Sequence, residues 1–184
     1  IPSHAAYLPG ATIAGVILTW IPDEQGVTRP TWVIFNIGDA RVYLLRDDML
    51  SQVTRDHSRV QILIETGELT PEQARRDPRR NVVTRALGGG IADSAVPDLY
   101  SVPVAAGDRL LICSDGLSDE LDDEAIATVL AAGYTAQRTA ELLVAASLEG
   151  GGHDNTTAVV VDSAETPALA PAVVPGDAST QEVL

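Results

Sequence analysis

The stretch Leu110-Leu111-Ile112-Cys113-Ser114-Asp115-Gly116 decides the fold of this chain. Its apolar run followed by a polar turn predicts a short strand that is buried on both faces and ends at a carboxylate. A second acidic turn, His153-Asp154-Asn155, precedes the apolar run at residues 156–161. We expect Asp115 and Asp154 to converge, since carboxylate oxygens are the ligands that hard divalent cations prefer. The pattern therefore predicts a metal-dependent hydrolase.

Residues with high β propensity fill the first 54 positions and return near the end of the chain. The turn of one predicted hairpin contains Asp47 and Asp48, whose side chains can bond to nearby backbone. Between residues 58 and 80 the pattern becomes helical, and Thr70-Pro71-Glu72-Gln73 has a cap, a first-turn proline and a capping-box glutamine. Strands are predicted at residues 10–20, 31–37, 41–45, 50–54, 98–104, 108–114 and 156–161, and later helices at 122–132 and 135–149.

Composition limits the classes of partner and the number of domains. The chain has 184 residues, 45% of them hydrophobic, which suits one folded domain, predicted at residues 1–162. Its net charge of −14 argues against binding to nucleic acid or to an anionic membrane. Cys113 is the only cysteine, so no intrachain disulfide forms, and a cytoplasmic location is compatible. Residues 163–184, rich in Ala, Pro and acidic side chains, are predicted to be a disordered tail or linker.

Five motifs, taken in order, resemble those of the metal-dependent protein phosphatase 2C family of serine/threonine phosphatases. Each alone is weak, because Gly-Asp and Asp-Gly are common turn dipeptides. The resemblance covers about residues 10–162. The motifs are Asn36-Ile-Gly-Asp-Ala-Arg41, Thr54-Arg-Asp-His-Ser58, Pro78-Arg-Arg-Asn-Val-Val-Thr-Arg-Ala-Leu-Gly88, Leu111-Ile-Cys-Ser-Asp-Gly-Leu117 and Gly152-His-Asp-Asn-Thr156.

The resemblance implies an α+β fold, a sandwich of two antiparallel β-sheets flanked by helices, with residues 58–80 as a mobile flap. It implies a bacterial-type phosphatase that hydrolyses phosphoserine and phosphothreonine in proteins with a metal-activated water. We expect the protein to be a monomer. Two core ions of Mg²⁺ or Mn²⁺ are expected, with a third, weaker site. Asp115 and Asp154 would then hold one core ion, and Asp39 would help to hold the additional one.

Each aspartate also has a purely structural interpretation. Asp39 can pair with Arg41 or bond to turn amides, Asp115 can be a turn residue before Gly116, and Asp154 can be a turn residue after the glycines.

The other candidate polar residues are expected to be structural. His57 and His153 are expected to bond to backbone rather than to transfer protons. For the arginines, ion pairs are favoured over phosphate contacts; they are Arg79, Arg80 and Arg85.

The sequence departs from the family pattern at its beginning. The family has an arginine for the substrate phosphate and an Asp-Gly-x-Gly-Gly turn that bridges the metals, whereas the only aspartate before Asp39 is Asp23, with no Gly-Gly after it. We therefore expect an amino-terminal segment of the family domain to be missing and hydrolysis to require it. The alternatives are a noncatalytic domain that binds a phosphoprotein or regulatory partner, and a structural module whose aspartates only fix turns.

Overall fold

A computed structural model describes residues 9–89 and 96–163; the predicted tail lies outside them apart from Ser163. The helices are α1 (Arg59–Glu65), α2 (Pro71–Arg75), α3 (Asp115–Ser118), α4 (Asp123–Ala131) and α5 (Ala136–Gly150). The strands are β1 (Gly10–Ala11), β2 (Ile13–Pro22), β3 (Thr28–Ile37), β4 (Arg41–Arg46), β5 (Met49–Gln52), β6 (Leu87–Gly88), β7 (Asp98–Pro103), β8 (Arg109–Cys113) and β9 (Ala158–Asp162).

Two antiparallel sheets form the body of the molecule. One has the strand order β2-β3-β7 and the other β5-β4-β8-β9, while β1 and β6 form a separate short pair. Strand β8 lies between β4 and β9, with Leu111 opposite both Tyr43 and Val160. The pairing of β8 with β9 makes the two strands beside the acidic turns neighbours.

Side chains of β8 alternate between two hydrophobic cores. Leu110 is fully buried between the sheets with Ile34 and Val42, whereas Leu111 and Cys113 face the core formed with α4 and α5. This confirms the prediction of a strand that is buried on both faces. The layers are the three-stranded sheet, the four-stranded sheet and the helices α4 and α5, an α+β sandwich as expected. Burial raises the pKa of the Cys113 thiol to about 12, so it acts as a small apolar residue.

The β4–β5 hairpin has the predicted turn. Asp47 and Asp48 have φ angles of 51° and 60°, the positive values that a two-residue type I′ turn requires at both central positions. Asp tolerates this region better than most residues because its short side chain can bond locally.

Helix starts follow the caps in the sequence. Ser58 caps α1, and Thr70 with Gln73 forms the predicted capping box of α2. One helix was not predicted: α3 begins at Asp115, where the sequence indicated only a turn. Within the described residues, no helix is both long and apolar enough to span a membrane.

Candidate metal centre

Asp39 is a buried carboxylate at the turn between β3 and β4. Its residue is 8% exposed, and its side chain forms no hydrogen bond to any other residue in the described ranges. Burial, reinforced by the negative charge of Asp115, raises the pKa of Asp39 to about 6. A buried carboxylate that lacks a counter-charge is costly, and a bound cation would remove that cost. Asp39 therefore fits the role of a metal ligand.

Asp115 is the first residue of α3. Its Oδ1 accepts a hydrogen bond of 2.9 Å from the Gly116 amide, which fixes the side chain at the helix start. The Asp119 amide donates to the Asp115 carbonyl over 2.8 Å, so Asp119 lies one helical turn further on. Burial and then the charge of Asp115 raise the pKa of Asp119. The negative charge of Asp115 thus acts on both Asp39 and Asp119.

Hydrogen bonds join the two acidic turns that the sequence singled out. Ser114 Oγ donates to the Asn155 carbonyl over 3.2 Å and accepts from the Thr157 amide over 3.0 Å. Thr156 Oγ1 donates to the Gly116 carbonyl over 3.2 Å, and Ser147 Oγ donates to the same carbonyl over 2.9 Å. The Asp115 and Asp154 turns are therefore adjacent parts of one bonded unit.

Two neighbouring cavities border this unit. The acidic cavity, of about 580 Å³, contains both Asp39 and Asp115 and is bordered by α1, α2 and the start of α4. The side cavity, of about 350 Å³, contains Asp154 together with Gly116 and Glu120. Both cavities are lined by Arg75, Arg80, Asn81 and Asp119. The structure thus brings Asp39 and Asp115 to one space and places Asp154 in the adjoining one.

The donor set suits a hard divalent cation at Asp39 and Asp115. Within the described residues, no three His, Cys, Asp or Glu side chains form a metal-binding group. Mg²⁺ is often bound through one or two carboxylates while it keeps several waters, so two carboxylates fit it. Asp39 and Asp115 would hold such an ion.

Arg41 pairs with Asp56, not with Asp39. Its Nε and Nη2 donate to the Asp56 carboxylate at 3.0 and 2.7 Å, and its Nη1 donates to the Tyr43 hydroxyl at 2.9 Å. The structural alternative of an Asp39–Arg41 ion pair is therefore wrong. The sequence interpretation also missed Asp56 and Asp119 as acidic residues of this cavity, although the spacing of four from Asp115 to Asp119 is a helical one.

The arginines form the ion pairs that were expected. Nη2 of Arg79 lies 2.7 Å from Asp77, and Nη1 of Arg85 lies 2.6 Å from Asp98. Arg80 makes a looser pair, with its Nε 3.9 Å from Asp119 Oδ2.

The two histidines differ in their bonding. His57 Nδ1 accepts from the Gly38 amide, which confirms the expected bond to backbone. His153 instead pairs through Nδ1 with Glu120 at 2.7 Å.

Gly116 is required where the two acidic turns meet. A Cβ there would lie 2.5 Å from the Asn155 carbonyl oxygen, which is backbone and cannot swing aside. We expect Gly116→Ala to lower the free energy of unfolding by about 2 kcal/mol, as overpacking does in a tight interior, and to separate Asp115 from Asp154. Urea denaturation measures the loss.

Gly150→Ala is the matched control for this change. A Cβ at Gly150, in α5, would lie 3.4 Å from Glu120 Cβ, an ordinary contact. Its unfolding free energy should be unchanged or raised by less than about 1 kcal/mol, because Ala favours helix over Gly. Equal losses in the two variants would show that the Asn155 contact is not the cause.

Comparison with known proteins identifies the family. Residues 8–162 match the sequence pattern of the family described as Protein phosphatase 2C. The chain belongs to the protein phosphatase 2C family. It is 43% identical over 150 residues to the serine/threonine protein phosphatase PstP of Mycobacterium tuberculosis, covering 77% of this chain and 28% of that protein. It is 38% identical over 130 residues to the serine/threonine phosphatase Stp of Listeria innocua, covering 71% of this chain and 51% of that protein.

A solved phosphatase 2C structure shares the fold. The catalytic domain of PstP in complex with two manganese ions superposes with a TM-score of 0.68 at 37% identity. The match covers 83% of this chain and 58% of that one. The chain thus spans about half the length of the Listeria relative and 28% of the mycobacterial one.

Proposed function

We propose that this chain belongs to an enzyme that hydrolyses phosphoserine and phosphothreonine in proteins with Mg²⁺ or Mn²⁺. The carrying observation is that Asp39, a buried carboxylate that bonds to no other described residue, shares the acidic cavity with Asp115. Membership of the phosphatase 2C family and the manganese complex of a relative support the proposal.

The residues of the site have two proposed roles: some hold metal, and others line the space for the substrate. Bound divalent cations lower the pKa of a coordinated water and neutralise phosphoryl oxygens. We assign Asp115 and Asp154 to one core ion, because their turns are bonded together, and Asp39 to an additional ion that Asp115 would help to hold from the shared acidic cavity. Arg75 and Arg80 line both cavities and contribute positive charge beside the acidic residues. Helices α1 and α2 cover the acidic cavity.

The test is hydrolysis of a phosphothreonine peptide with and without Mn²⁺. It uses the 184-residue chain and the product of the complete reading frame that encodes it. Phosphate release that depends on Mn²⁺ in the latter supports the proposal. If that protein releases no phosphate at millimolar Mn²⁺, although circular dichroism shows that it is folded, the proposal is contradicted.

A second function is favoured by one observation. The described residues contain no metal-binding group of three acidic, His or Cys side chains. A noncatalytic domain would bind a phosphoprotein or regulatory partner through residues 58–80. Such binding would persist in EDTA, whereas substrate hydrolysis would stop.

We further propose a cytoplasmic monomer with its folded domain at residues 1–162 and a tail at residues 163–184. The buried thiol of Cys113 and the charge of −14 are compatible with these assignments. Sedimentation equilibrium tests the monomer, limited proteolysis tests the boundary at residue 162, and cell fractionation tests the location.

A further inference from the structure

His57 is a buried histidine that lies outside the set of proposed metal ligands. Its residue is 2% exposed, and it follows β5 at the base of the segment that carries α1. It belongs to neither cavity wall. His57 nevertheless contacts Gly38, the residue that precedes Asp39 in the chain.

His57 bonds to both polar groups of the Gly38 backbone. The Gly38 amide donates to His57 Nδ1 over 3.0 Å, and the His57 amide donates to the Gly38 carbonyl over 2.8 Å. Because Nδ1 accepts a hydrogen bond, it carries no proton, and the neutral ring carries its proton on Nε2. One residue thus fixes the peptide groups on both sides of Gly38.

Gly38 needs such a clamp because its own backbone is permissive. Its φ angle is 105°, a value that glycine adopts easily and other residues rarely do. Glycine also loses the most conformational freedom on folding, so a turn built on it is not held by local preference. The direction of the Asp39 side chain therefore depends on contacts made to Gly38.

The far side of the imidazole faces Asp98. His57 Nε2 lies 3.1 Å from Asp98 Oδ2, although within the described residues no acceptor meets it with hydrogen-bond geometry. Asp98 is held in turn by Arg85 Nη1 at 2.6 Å. The Thr84 amide donates to the His57 carbonyl over 2.8 Å. The histidine thus lies between Asp98 of β7 and Thr84, which follows the flap segment in the chain.

We propose that His57 is a positioning residue that directs the Asp39 carboxylate to its cation by clamping Gly38. The inference rests on the proposed role of Asp39 as a metal ligand. His57 itself does not touch the metal or the substrate. Its effect is on metal affinity, and it requires an acceptor at the place of Nδ1.

Two amide substitutions separate this role from general stability. His57→Asn places its side-chain oxygen near the position of Nδ1, so it can still accept a hydrogen bond from the Gly38 amide, but it loses the contact with Asp98. His57→Gln carries the same amide group one methylene further, towards Asp98, and loses the acceptor for Gly38. We expect the affinity for Mn²⁺ to fall about ten- to hundredfold in His57→Gln and less than threefold in His57→Asn. Titration calorimetry on the product of the complete reading frame measures both values.

Trp32→Phe controls for loss of a buried ring N–H elsewhere. Trp32 Nε1 donates to Asp108 over 2.9 Å, and Asp108 precedes β8, at the end of that strand opposite to Asp115. This variant should unfold at a lower temperature and keep its Mn²⁺ affinity. If the affinity for Mn²⁺ falls in proportion to the melting temperature in all the variants, the positioning role of His57 is overturned.

Two further measurements separate this inference from the proposed function. Asp39→Asn should weaken Mn²⁺ binding. If the unsubstituted protein does not bind Mn²⁺, or if Asp39→Asn binds it equally well, the metal assignment is overturned and the inference with it. If Asp39→Asn binds Mn²⁺ more weakly while His57→Gln binds it unchanged, only the inference is overturned.

Nitrogen-15 NMR of the unsubstituted protein tests the hydrogen bond between His57 and Gly38 without any substitution. It should show His57 Nδ1 without a proton and slow exchange of the Gly38 amide. Rapid exchange of that amide would overturn the proposed bond.

Discussion

Replacing Asp115 by Asn is expected to lower Mn²⁺-dependent hydrolysis of a phosphothreonine peptide at least about 100-fold in the product of the complete reading frame. The substitution removes the negative charge that holds the cation and keeps the shape of the side chain. An Asn oxygen can still accept from the Gly116 amide, as Asp115 Oδ1 does over 2.9 Å, so α3 should begin at the same residue. Initial rates across a Mn²⁺ titration give the loss and show whether more metal restores activity.

Asp48→Asn is the matched control, since it removes the same charge at the β4–β5 turn. Asn tolerates the positive φ of 60° at this position. Its rate should lie within twofold of the parent. Unchanged turnover in the Asp115 variant would refute its role as a ligand, and equal losses in both variants would point to net charge rather than to the site.

Removing the Arg41 guanidinium is expected to cost about 3 kcal/mol in the free energy of unfolding. The Asp56 side chain is 8% exposed and receives hydrogen bonds from both Nε and Nη2 of Arg41. Arg41→Met therefore leaves a buried carboxylate without its counter-charge, beside a cavity that already contains Asp39. Urea denaturation of the variant measures the loss.

The double variant Arg41→Met, Asp56→Leu separates the penalty of an unpaired charge from the value of the pair. It should recover most of the lost stability, because an apolar pair of similar volume has no charge to desolvate. Gln52 keeps a partner in the Thr54 carbonyl, at 2.7 Å, when Asp56 is replaced. If the double variant is as unstable as Arg41→Met, packing of the arginine stem and not an unpaired Asp56 explains the loss.

Much of the fold could be predicted from the sequence because its signals are local. The apolar run of β8 predicted a strand that is buried on both faces, and the Thr70 capping box predicted the start of α2. Asp47 and Asp48 predicted a turn. Helix α3 was missed, since Asp115 and Gly116 are typical turn residues and only four residues form that helix.

The sequence by itself determined most of the strands and helices and the two acidic turns with Asp115 and Asp154, because residue type and spacing express those properties. Its resemblance to the phosphatase 2C family added Asp39 as a candidate. Only the tertiary structure decided which polar groups meet. It paired Arg41 with Asp56, left Asp39 buried beside Asp115, placed Asp154 in the adjoining cavity and brought His57 to Gly38. The physical reason is that burial and charge pairing depend on distances between segments far apart in the chain, which the packing of the two sheets sets.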